Sequence, residues 1–168
     1  PKNNPPRRAS DYADMIIEKY DDADYIKKTF HDKDIKNFII KPKHGFNKSN
    51  KFIFNKYKTS KTYGQQIVPI GRLLNNDLNL WLKFNKSKKY LLHYPNNPNI
   101  PMGSNILTKK LLMIFNDLFN KNISVNMIRS ITLTHVYKDM PAVKNLDELA
   151  SKMAHSVNTA IKTYVKKD

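Results

Sequence analysis

Five residue types that can hold an anion, move a proton or form a covalent bond stand at defined places in this chain. Arg8 stands near the start and Lys58 in a basic turn. Asn126 and Arg129 share one apolar-patterned segment, and His155 and Tyr164 lie toward the end. A guanidinium fork can hold two non-bridging phosphate oxygens at once and offset charge that grows on them. An ammonium or an imidazole can move a proton. A tyrosine oxygen can form a bond to phosphorus and, with a phenol pKa near about 10, leave again. Taken singly, each has an ordinary use. A tyrosine three residues after Ile161 is usually packing, and a lone histidine is usually a cap or a surface group. An arginine on an amphipathic helix is usually a solvated charge. Arg7 and Arg8 in a basic leader are usually phosphate contacts or nothing. Only joint occurrence in a fixed order would raise the chemistry above these uses.

The elements that must position these residues can be read from the pattern of apolar positions. Tyr12, Met15, Ile16 and Tyr20 have helical spacing, and Ser10 or Asp11 can cap, so a helix is expected over 8–20. Three short apolar runs, Asn37–Lys41, Phe52–Tyr57 and Gln66–Ile70, are expected as strands of a small antiparallel sheet. The basic stretch Lys58-Thr-Ser-Lys-Thr-Tyr-Gly64 would form the hairpin tip between the last two. Leu73–Phe84 has the stripe Leu74, Leu78, Trp81, Leu82 and is expected to be a helix. Leu91–Met102, with Pro95, Pro98 and Pro101, is expected to be a loop. Ser104 can open a helix to about Phe119, and Ser124 can open one through Val125, Ile128, Ile131 and Leu133. Asn145 with Glu148 gives a start like a capping box, and a last helix is expected through Ile161 and Val165.

Bulk properties narrow the partners. Thirty Lys+Arg against fourteen Asp+Glu leave +16, which favours a polyanion, nucleic acid first. A membrane surface would call for a basic amphipathic helix or a lipid anchor, and neither is evident. No apolar run approaches the roughly 18–20 residues that span a bilayer. The opening Pro-Lys-Asn-Asn-Pro-Pro has no apolar stretch of a secretory signal. An intracellular site, wherever the target DNA resides, is therefore expected. Forty per cent hydrophobic residues argue against a disordered chain. The absence of cysteine excludes disulfides, cysteine-based zinc sites and a thiol nucleophile.

With these residues set in order, the chain resembles the tyrosine recombinases, the phage-type integrase family. Family members carry His-x-x-Arg, often continued as Arg-His-x-x-x-Thr-His, then a Leu-Gly-His-Ser segment, then a tyrosine nine residues after that histidine. Here Asn126-Met-Ile-Arg129 is followed at the family offsets by Thr134 and His135. Met153-Ala-His-Ser156 follows, and Tyr164 stands nine residues after His155. Upstream, Arg8-Ala-Ser-Asp11 resembles the family's Arg-x-x-Glu. Lys58 resembles its hairpin lysine, and Val68-Pro-Ile70 its strand end. The likeness runs from Arg8 to Tyr164. It departs at Asn126, where histidine is usual, and at Ala154, where glycine is usual. Only four residues follow Tyr164, whereas many members have a further helix there.

The resemblance implies an α+β, mainly α catalytic domain with a small three-stranded antiparallel sheet. It would span 1–168, and the N-terminal DNA-clamping domain would be absent from the chain. It implies site-specific cutting and rejoining of double-stranded DNA through a 3′-phosphotyrosine at Tyr164. Arg8 and Arg129 would hold the phosphate, with Asn126 donating a hydrogen bond. His155 would hydrogen-bond the phosphate and help with the Tyr164 proton, and Lys58 would protonate the leaving 5′-oxygen. Lys61, three residues on, is the rival to Lys58. No metal, cofactor or ATP is implied. The working form would be a synaptic tetramer on DNA. Richness in Asn, Lys and Ile suits an AT-rich virus or mobile element. The alternatives are DNA relaxation of the type IB topoisomerase kind, a non-catalytic basic nucleic-acid-binding module, and a basic structural protein.

Overall fold

Alternating aromatic and β-branched residues build the centre of the chain. The computed structural model describes residues 4–19, 22–42, 49–138, 150, 152 and 153. These residues form a mixed α/β structure with six helices, a four-stranded sheet and a two-stranded sheet. The chain divides into two compact units. One comprises Pro1–Ala9 with Asn105–Asp168, the other Ser10–Ser104.

The unit Ser10–Ser104 is organised by β1 (Ile16–Glu18), β2 (Phe38–Ile40), β3 (Lys51–Phe54) and β4 (Gln66–Pro69), in that spatial order. β2, β3 and β4 are antiparallel neighbours, with Phe38 opposite Ile53 and Phe52 opposite Val68. Strand side chains alternate between faces, so Phe38, Ile40 and Ile53 share one face. There they cluster with Ile26, and Ile16 packs against the group. Ile26 comes from α2 (Ala23–Lys28), which Asp22 caps by accepting from the Asp24 and Tyr25 amides. Phe52 and Phe54 point the other way. The Tyr12 ring, from α1 (Ala9–Tyr12), meets both edge-on at 5.7 Å. Because both faces are covered, β2 is buried along its whole length and β3 along all but Lys51. Phe54→Ala should therefore destabilise the protein by about 3–5 kcal/mol. In thermal unfolding followed by circular dichroism the midpoint should fall by about 6–20 °C.

Three expectations are corrected here. The sheet has four strands, not three, and β1 runs parallel to β2. Residues 13–19 are accordingly not a helix: α1 stops at Tyr12, and Met15 N–H turns back to the Tyr12 carbonyl. Ile16 N–H donates to Asn37 O and Ile17 N–H to Lys89 O, so β1 is gripped on both sides. These partners outweigh the helical spacing of Tyr12, Met15 and Ile16. Likewise the segment 91–102 is not an irregular loop. It holds the ribbon β5 (His93–Tyr94) and β6 (Asn97–Pro101). In a two-stranded ribbon every strand is an edge, so prolines are tolerated on the side that makes no ladder bonds.

The link from β3 to β4 contains α3 (Ser60–Tyr63), a single helical turn that ends on Gly64. Gly64 has φ 64° and ψ −158°, a region essentially closed to residues with a Cβ. Open space surrounds it, so the penalty of a side chain there is conformational. Gly64→Ala should lower stability by about 1–3 kcal/mol in urea unfolding. Gly103→Ala, also facing open space, is the control with little effect.

α4 (Arg72–Phe84) lays the half-buried Leu74, Leu78 and Leu82 along one face. It is tied down by Asn75 and Asn79, which accept from the Asn50 amide and side chain, and by Trp81 Nε1 donating to Leu91 O. Trp81 belongs to the expected apolar stripe, but its ring is exposed and its indole nitrogen does the anchoring.

In the other unit lie α5 (Ser104–Phe119), all but its first residue, and α6 (Val125–Lys138), close to their expected limits. α5 stops at Asn120, whose φ of 51° is the left-handed conformation that asparagine tolerates at a helix end. The Ser124 hydroxyl accepts the Met127 amide and so starts α6. The helices expected over 145–154 and beyond 156 lie outside the described residues, apart from Ala150, Lys152 and Met153.

Candidate active site

α6 carries Asn126 and Arg129 one turn apart, so they lie near the same side of the helix. Their environments differ. Arg129 is wholly buried, as is Leu133 one turn on, whereas Asn126 is exposed. Exposed Met127 and Ile131 mark the opposite face. A buried guanidinium is costly unless its charge is met, so Arg129 is not the solvated arginine of an ordinary amphipathic helix. Thr134 is partly buried and His135 is exposed on the same helix.

The same unit buries a second arginine, and it is Arg7 rather than Arg8. Arg7 is 3% exposed, and its Nη1 donates to the Lys152 carbonyl at 2.9 Å. Arg8 is only partly buried. Around the acceptor, Ala150 and Met153 are buried and joined by a turn, Met153 N–H to Ala150 O. Arg7 thus anchors the stretch that leads, two residues after Met153, to His155. The sequence gives no means of choosing between adjacent arginines on an irregular segment, so this role was not foreseen. His155 and Tyr164 themselves lie outside the described residues.

Lys58 belongs to the unit Ser10–Ser104 and sits, exposed, in the turn before α3. Lys61 is exposed within α3. Their connection is fastened by buried side-chain amides that the sequence reading also missed. Asn37 Oδ1 accepts the amides of Asn55 and Lys56 at 2.9 and 2.8 Å. Its Nδ2 donates to the carbonyls of Asp11 and Lys56, each at 2.8 Å. Asn55 Nδ2 reaches the Thr29 and Lys36 carbonyls and the Thr29 hydroxyl. Gln65 Nε2 donates to Asn55 Oδ1 at 2.7 Å, joining the two ends of the connection. The Tyr57 hydroxyl donates to Gly64 O at 2.6 Å.

Among the described residues no group of three or more His, Cys, Asp or Glu could hold a metal ion. Among them, too, no helix is long and apolar enough to cross a membrane. Compared with known proteins, the chain matches no family model, no curated protein and no solved structure.

Proposed function

We propose that this chain is the catalytic domain of a tyrosine recombinase that cuts and rejoins double-stranded DNA, within a synaptic tetramer, for a virus or mobile element. The observation that carries the reading is that α6 sets Asn126 and Arg129 one turn apart on one helix, the spacing of the motif. It is supported by the order Arg8, Lys58, Asn126, Arg129, His155, Tyr164 along the chain and by a net charge of +16.

Tyr164 Oη gives its proton to His155 and attacks the scissile phosphorus, a new O–P bond forms, and the bond to the 5′-oxygen breaks. Lys58 gives that oxygen its proton. Arg8 and Arg129 offset charge on the non-bridging oxygens, and Asn126 and His155 add hydrogen bonds to them. Asn126 can donate such a bond but cannot exchange a proton, which leaves proton transfer to Lys58 and His155. Arg7 contributes indirectly, by fixing the backbone at Lys152. The phosphotyrosine keeps the energy of the broken diester, so the reverse step needs no ATP.

The test is covalent trapping. The protein is incubated with a nicked duplex bearing the terminal sequence of its own genetic element. The products are resolved in SDS. An SDS-resistant protein–DNA adduct supports the reading. Tight binding with no adduct overturns it in favour of a non-catalytic nucleic-acid-binding module. Relaxation of any supercoiled plasmid by a monomer would place the chemistry in a topoisomerase instead.

A further inference from the structure

The connection that carries Lys58 is held more firmly than a surface loop requires. Its first residue, Asn55, and its last, Gln65, are hydrogen-bonded to each other. Tyr57, the residue before Lys58, is buried and bonded to Gly64 O across the same connection. Asn37, the residue before β2, accepts the Asn55 and Lys56 amides and donates to the Lys56 and Asp11 carbonyls. Asn37 and Asn55 are each 1% exposed. A side-chain amide with all these partners fixes backbone position as well as stability. The lysine at the tip is meanwhile left in solvent.

We propose that Asn37 and Tyr57 are positioning residues for Lys58, presetting where its ammonium meets the leaving 5′-oxygen. This rests on the recombinase reading of Lys58. Rigid support matters because a misplacement of about 1 Å can lower a rate about 100-fold.

The experiment compares two nicked substrates with the full-length protein. One has the ordinary 5′-bridging oxygen, and the other has sulfur there. When Tyr164 displaces oxygen, the P–O bond breaks and the oxygen takes a proton from Lys58. When it displaces sulfur, the P–S bond breaks and a stable thiolate departs without that proton. Lys58→Ala should be slow on oxygen and near normal on sulfur. Asn37→Asp keeps the acceptor and removes the two donations. It should slow cleavage of the oxygen substrate about 10- to 100-fold and leave the sulfur substrate within about threefold of wild type. Tyr57→Phe, which removes only a hydroxyl, should show the same selectivity with a smaller loss, and it carries the test if Asn37→Asp does not fold. Equal losses on both substrates, with Lys58→Ala still selective, would overturn the positioning role alone. No adduct from the wild type, or no selectivity in Lys58→Ala, would overturn the reading beneath it.

Discussion

Tyr164→Phe should remove the SDS-resistant adduct entirely, a loss of at least about 1000-fold, while DNA affinity stays within about twofold of wild type. The substitution deletes one oxygen and keeps the ring. Binding depends mainly on Lys and Arg facing phosphates, and those are untouched. Covalent capture depends on a nucleophile that is also a leaving group, and phenylalanine supplies neither. The chain has nine tyrosines, so the wild-type adduct must be digested and the modified peptide identified. A modified peptide other than that of Tyr164, or an adduct surviving in Tyr164→Phe, would sink the assignment.

Arg129→Lys should slow adduct formation about 100- to 1000-fold at unchanged positive charge. The ammonium keeps the charge but loses the planar fork, so charge growing on two non-bridging oxygens is met at one point rather than two. Arg129 is wholly buried, so a purely structural arginine there is the competing explanation. The two separate cleanly. Rate and stability should part company in the variant: a thermal midpoint near wild type with the rate lost supports the catalytic role. A rate that falls only in proportion to the unfolded fraction would assign Arg129 to structure.

What could be read from the sequence was what repeats. Leu74, Leu78 and Leu82 predict α4, Ser124 predicts the start of α6, and the apolar runs around Ile39, Ile53 and Ile67 predict β2, β3 and β4. β1 was hidden because Tyr12, Met15 and Ile16 fit a helix as well as a strand. The choice was made by the carbonyls of Asn37 and Lys89, remote in sequence. β5 and β6 were hidden by Pro95 in the turn between them and by Pro98 and Pro101 in β6. The amide network of Asn37, Asn55 and Gln65 has no period at all, since a buried asparagine looks like any loop asparagine until its partners are known. For the same reason the buried Arg7 could not be told from Arg8. At the candidate site, Arg8, Lys58, Asn126 and Arg129 are assigned by the motif. His155 and Tyr164 rest on motif alone, because they lie outside the described residues.

The double grip on β1 also bears on the order in which the unit Ser10–Ser104 comes together. β2, β3 and β4 pair with near neighbours in the chain, and such local contacts close first. β1 has to wait for partners on both sides, β2 and the distant residues 89–91, where Tyr90 bridges Ile16 and Leu91 N–H reaches Met15 O. The amide of Ile16 is held by one flank and that of Ile17 by the other. Two adjacent backbone protons therefore report on separate junctions, and their hydrogen-exchange rates distinguish local opening at one flank from loss of the whole sheet.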